Sequence, residues 1–195
     1  MTMTNAIHVS WPDVQDAAQM ARRSRRRAIA RLNDLFRAGQ PVQPLLQGRY
    51  AGRLLAVDLM PGMTQAIGVI TRVWMPWRGK TFNQGKQAGD NVFARGSYFL
   101  SHVYWPLYRG YVKDGPETYR SFAFHTWAGP GVADPDRTVL KIDYNLPGNP
   151  RHTIRRVVDE IVQIEQGKYL GKAHLQWWWG RWQTVAYFTL EGPGA

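Results

Sequence analysis

The chain has 195 residues, 44% of them hydrophobic and 20% charged, which suits one folded domain with a real core. It has no cysteine, which excludes disulfides, thiolate metal sites and cysteine nucleophiles, and no run approaches the ~20 apolar residues of a membrane span. Its net charge of +11 favours anionic partners, and 13% of its residues are aromatic, nine of them tryptophan.

The start of the chain carries no apolar signal region. The Arg22-Arg23 pair is followed by more charge, not by the apolar stretch of an export signal. A cytoplasmic location, at most peripheral to a membrane, is expected. The first element expected is one helix from Trp11 to Ala38. Ser10 is placed to cap it, Pro12 sits in its first turn, and Gly39 and Pro41 stop it. Its apolar stripe is mostly alanine at first, and the half with Ile29, Leu32, Leu35 and Phe36 is the part expected to dock. A proline-containing linker completes an N-terminal unit of residues 1–47, and residues 48–195 form the main domain.

In that domain the pattern changes to period two. Arg49–Leu59 reads as a strand, Gln65–Trp74 as one short helix, and Trp77–Phe82 and Asn91–Phe99 as extended. Thr118–Trp127 is strand-like, Gly129-Pro130-Gly131 reads as a turn, and Arg137–Tyr144 alternates again. Ile154–Ile164 fits helical spacing, yet its β-branched residues favour strand, and two short strands bending near Asp159-Glu160 are expected. Lys168–Trp179, a turn at Gly180-Arg181, and Trp182–Leu190 form a closing hairpin. About eight to ten short strands behind a leading arginine-rich helix predict a mainly β, antiparallel barrel.

Standard catalytic signatures are missing: no G-x-S-x-G, no P-loop, no H-E-x-x-H, and no short-range metal spacing among the histidines. Nucleic-acid motifs are missing too, so specific nucleic-acid binding is not expected. The carboxylate pairs Asp134/Asp136 and Asp159/Glu160 read as turn or surface groups unless the fold assembles them. Glycines beside aromatics open several strands: Gly48-Arg49-Tyr50-Ala51-Gly52, Trp77-Arg78-Gly79-Lys80-Thr81-Phe82 and Tyr169-Leu170-Gly171. Glycine weakens a strand unless the backbone must bend or pack against a ring, as at barrel corners.

The G-R-Y-A-G and W-R-G-K-T-F segments resemble the GXWXG family, with its G-x-W-x-G strand followed by W-x-G-K-x-F. The late Leu170-Gly171 strand and the closing Tyr187–Leu190 strand are similar to its ending, and Tyr50 stands where the family has tryptophan. The resemblance implies a calycin-like, lipocalin-type barrel and no particular reaction.

A barrel of this size encloses side chains or one small ligand. The expected function is therefore a non-catalytic binding protein for a small hydrophobic, anionic ligand such as a fatty acid or isoprenoid-like acid. Tyr50, Trp77, Phe82, Trp127, Tyr144 and Trp177 are candidate walls, and Arg53, Lys80 and Lys172 candidate partners of an acidic head group. His125, in an aromatic strand, is the titratable residue of most interest. A cofactor-free cyclase, isomerase or hydrolase would use it as base, with Tyr144 or Asp143 assisting and Lys141 holding an anionic intermediate. A haem-binding barrel would use it as axial ligand. Arg22, Arg23, Arg25, Arg26 and Arg27 form a candidate surface for transient contact with an anionic membrane.

Overall fold

The computed structural model describes residues 9–43, 46–58 and 76–193. Two helices, α1 (Trp11–Met20) and α2 (Arg25–Ala38), precede nine strands. These are β1 (Gly48–Val57), β2 (Trp77–Asn83), β3 (Ala88–Ala94), β4 (Val112–Asp114), β5 (Thr118–Pro130), β6 (Thr138–Asp143), β7 (Val157–Glu165), β8 (Lys168–Gln176) and β9 (Trp182–Glu191). A further helix, α3 (Tyr98–Tyr104), lies between β3 and β4. The sheet runs β3-β2-β1-β9-β8-β7-β6-β5 and closes through β3–β5 pairing, an eight-stranded antiparallel barrel with β4 as an outer strip on β5. This architecture is consistent with a lipocalin-like barrel.

Alternation along each strand sorts the side chains. Tyr50, Phe82, Phe124, Ile142, Ile161 and Phe188 point into the barrel and build one core. Val139, Val162, Leu170 and Tyr187 point out and pack under Val14, Leu32, Leu35 and Phe36 of the helices. One end of the interior is plugged by rings: Tyr50 meets Phe82 edge-on at 5.4 Å and Tyr169 at 5.7 Å between centroids. The other end, the mouth, carries the start of β2 and the connections after β3 and β6 and between β8 and β9.

Two glycines of the sequence motifs explain themselves. A Cβ on Gly52 would lie 2.4 Å from the Trp77 ring, so this position must be bare for the indole to enter the barrel. Gly79 has φ +134°, and a Cβ there would lie 2.0 Å from the Tyr50 carbonyl oxygen.

Several expectations are corrected. The leading helix is a hairpin of two, turning at residues 21–24 with Ser24 as the residue before α2. The hairpin lets Trp11, Val14 and Ala17 of α1 and Leu32, Leu35 and Phe36 of α2 share one cluster with the outer wall, whereas one straight helix of about 28 residues would be about 42 Å long and would overhang strands of about 33 Å. Tyr98–Tyr104 is helical because Ser97 and Ser101, one turn apart, both bond the Tyr119 hydroxyl, at 3.1 and 2.6 Å. Gly129 and Pro130 belong to β5, paired with Val139 and Thr138. The bond from Gly131 N–H to the Arg137 carbonyl leaves Pro130 in a pair that exchanges no hydrogen bond, and β3 pairs β5 only as far as His125, so no ladder donor is missing. β7 is one strand without a bend at Asp159-Glu160, since it pairs with β6 and β8 through both residues. β8 ends at Gln176, and the turn begins at Trp177, with Gly180 at φ +85°. The helix expected at Gln65–Trp74 lies outside the described residues.

Candidate functional site

Lys80 on β2, Asn91 on β3, Tyr144 just after β6 and Asp159 on β7 converge inside the barrel, all buried. Lys80 Nζ donates to Asp159 Oδ2 at 2.7 Å, to Asn91 Oδ1 at 2.8 Å, and to the Tyr144 hydroxyl. The Tyr144 hydroxyl in turn donates to Asp159 Oδ2 at 2.9 Å, and Trp77 Nε1 donates to Asn91 Oδ1 at 3.1 Å. The ammonium also faces the rings of Trp77, Phe124, Tyr144 and Phe188, with centroids between 5.1 and 5.5 Å away.

The backbone is bent to hold this cluster. Phe122 takes φ +56°, a left-handed conformation unusual for an aromatic residue. Its N–H donates to the Tyr108 hydroxyl at 2.7 Å, and its carbonyl accepts from Asn91 Nδ2 at 3.2 Å. The amide of Asn91 is thereby oriented with its oxygen toward the lysine and its nitrogen toward Phe122 and Tyr144.

Burial pushes the Lys80 amine below the usual lysine range against the opposing pull of Asp159. Burial also drives the Tyr144 phenol well above its ordinary value, reinforced by the negative Asp159 beside it. Tyr144 therefore stays a neutral donor at neutral pH. Every N–H of Lys80 is engaged, but Asp159 Oδ1 is buried with no hydrogen-bond partner among the described residues. A buried carboxylate oxygen left without a partner costs stability, so the position calls for a donor, from water or from a ligand.

A cavity of about 50 Å³ adjoins the cluster at the mouth end. Leu54, Phe93, Phe122, Ile154, Val157 and Phe188 form its apolar wall, and the polar floor is Lys80, Asn91, Tyr144 and Asp159. The space has room for only a few water-sized groups, so it takes the polar end of a molecule and not a whole chain.

Of the residues singled out from sequence, Trp77, Lys80 and Tyr144 line this cavity. Tyr50 and Phe82 are buried in the same interior, in the ring plug at the opposite end. The others are elsewhere. His125 is exposed on the outer wall in register with Asp143, and Trp127 is exposed too. Lys141 also points outward, 3.6 Å from Glu160 Oε1. Strand parity puts His125, Asp143 and Lys141 on the face opposite Tyr144, so no enclosed site unites the four. Arg53 is on the outer wall of β1 beside Arg22 and Arg23. Trp177 is buried at the β8–β9 turn, stacked on Trp179 at 5.1 Å.

Lys172 is buried on the outside of the barrel, where it donates to Asp134 Oδ2 at 2.6 Å and stands over the Phe36 ring of α2. Asp134 also receives Arg37 of α2, so the carboxylate expected in a solvated turn is the anchor of the helical hairpin. Asp159 and Glu160, adjacent in sequence, face opposite sides: Glu160 binds His174 at 3.1 Å under the helices. The signal missed in the sequence was the odd charge at an inward position of β7, legible only once strand parity is known. Asn91 gave no signal at all.

Among the described residues, no helix is long and apolar enough to cross a membrane. No family model, no curated protein and no solved structure matches the chain.

Proposed function

We propose that the protein binds a small, mostly apolar molecule at the mouth end of the barrel and receives that molecule's hydroxyl or amine on Asp159 Oδ1. The observation that carries this is the buried carboxylate oxygen, unpartnered among the described residues, beside an apolar-walled cavity whose one cation among those residues is already neutralised. The acidic head group expected from composition is disfavoured here. Lys80 has no donor to spare, and a ligand carboxylate would stand beside Asp159, two like charges in a poorly hydrated site. The W-R-G-K-T-F segment that resembles the GXWXG family supplies Trp77 and Lys80 to the cavity and Phe82 to the plug behind it, so in this proposal the motif lysine is the internal cation.

The test compares ligands that differ only in the head group, geraniol against geranic acid, by titration calorimetry at neutral pH. The alcohol binds at micromolar concentration and the acid at least about 10-fold more weakly, a difference of about 1.4 kcal/mol. Equal binding of both, or binding of neither below about 100 µM, overturns the proposal.

A second proposal, proton transfer on the bound molecule as in a cofactor-free isomerase, draws on the same oxygen. Asp159 is placed to act as base, and Tyr144, kept protonated by burial, as the neutral donor. Incorporation of solvent deuterium into a bound β,γ-unsaturated ketone, lost in Asp159→Asn, would distinguish turnover from binding alone.

A further inference from the structure

We propose that the mouth of the barrel is a docking face for an anionic lipid bilayer, independently of what occupies the cavity. Three separate elements leave apolar side chains in water at this one end. Phe99 of α3 is 75% exposed, Leu107 after it 86%, and Trp178 at the β8–β9 turn 74%. Val103 and Trp179 beside them are more than half exposed. Large apolar groups this exposed, gathered on one face, mark an interaction surface and not scatter.

The elements form one rim. Trp105 Nε1, at the end of α3, donates to Thr153 Oγ1 at 3.0 Å in the β6–β7 connection. Arg156 of that connection donates to the Trp177 carbonyl at 3.3 Å, which ties it to the tryptophan turn. The α1–α2 turn reaches the same end: Arg25 lies close enough to Asp58, just past β1, for its charge to act on that carboxylate.

Arginine dominates the charge on the rim, where Asp58 and Glu117 are the acidic groups beside it. The connection with α3 brings Arg95 and Arg109, the β6–β7 connection Arg151 and Arg155, the tryptophan turn Arg181, and the helical turn the run Arg22–Arg27. None of these four stretches contains an aspartate or glutamate. A protein partner would need complementary groups fixed at matching positions. A bilayer accepts scattered arginines and a shallow apolar wedge in any lateral arrangement, and tryptophan beside arginine is the composition that settles at a lipid interface. The five-arginine run therefore acts with the wedge and not alone. Docked this way, the mouth opens toward the acyl region, the place where a small apolar molecule is concentrated.

Co-sedimentation with phosphatidylcholine vesicles, with and without about 30% phosphatidylglycerol at ~150 mM salt, tests this. The wild type partitions to the anionic vesicles and much less to the neutral ones. Leu107→Ser/Trp178→Ser/Trp179→Ser removes the wedge and abolishes the partitioning. Arg109→Gln/Arg151→Gln/Arg181→Gln weakens it on the order of 100-fold on anionic vesicles only. All six side chains are exposed, with Trp178 and Trp179 packed on Trp177, so the arginine variant should keep the wild-type melting temperature and the wedge variant should stay cooperatively folded within about 5 °C of it, which separates lost docking from lost fold. The proposal is overturned if the wild type ignores both vesicles or the wedge variant binds as well as the wild type. It is equally overturned if the wild type is a dimer that the wedge variant dissolves without any vesicle binding. Equal affinity of wild type and wedge variant for a duplex DNA probe, without sedimentation, would assign the arginines to a soluble polyanion instead.

Discussion

Removing the cation of the internal cluster should cost more than any surface substitution. Lys80 Nζ and Asp159 Oδ2 are 2.7 Å apart, with side-chain exposures of 2% and 7%. At an effective dielectric near 20 the attraction is about 6 kcal/mol, set against a desolvation penalty of several kcal/mol for each ion. The pair is thus close to break-even, but half of it is not. Lys80→Met leaves a buried carboxylate with one oxygen unpartnered and the other held by Tyr144 alone. The expected loss is about 3–5 kcal/mol, or roughly 10 °C in melting temperature for a chain of this size. In Lys80→Met/Asp159→Leu both charges are gone, and stability should return to within about 1 kcal/mol of wild type while binding of geraniol is lost. Thermal denaturation followed by circular dichroism, with calorimetric titration of the double variant, reads both quantities. A single variant that loses less than about 1 kcal/mol would mean that the pair is hydrated, and the account of an enclosed, neutralised lysine would fail.

Other outcomes follow from neighbouring features. Gly79→Ala forces a Cβ against the Tyr50 carbonyl at a φ of +134° and should cost at least about 2 kcal/mol in chemical denaturation. Tyr108→Phe leaves the buried Phe122 N–H without its acceptor, for an expected loss of about 1–3 kcal/mol and weaker ligand binding through Asn91. His125→Ala and Asp143→Ala, both on the outer wall, should leave ligand affinity unchanged; a loss in either would place the binding site outside the cavity. Burial alone would raise the Asp134 carboxyl, but hydrogen bonds from Lys172 and Arg37 outweigh it and hold it below the ordinary range. A carboxyl depressed in the folded state contributes stability above its unfolded value near 3.9, and that contribution disappears as pH falls through the folded value. Melting-temperature curves of wild type and Asp134→Asn should therefore converge below about pH 4, and curves that stay parallel would show that the anchor of α2 does not titrate.

Local rules were enough to read the elements whose pattern their own residues set. Alternation marked β1 and β6, aromatic content marked β5, a glycine turn marked the β8–β9 hairpin, glycine beside aromatics marked the tight packing at Gly52 and Gly79, and the number of short strands pointed to a barrel. Boundaries failed where long-range fit overrode local preference: the helix breaks at Ala21–Ser24 and both halves pack on the outer wall of the barrel, and Pro130 stays in its strand because its position asks for no N–H. The site was legible only in pieces. Lys80, Trp77 and Tyr144 stood out by type, whereas His125 drew attention for the same reason and faces water. A side chain's chemistry is written in the sequence, but its direction is a parity, and one residue of strand register reverses it. Asp159 and Glu160 show this most plainly: neighbours in the chain, they ended in separate polar clusters on opposite faces of one sheet. The β2–β3 ladder set Asn91 directly opposite Lys80, and closure of the barrel through β3 and β5 then brought Tyr144 and Asp159 to the same lysine from positions far apart in sequence, a convergence that only the tertiary structure could decide.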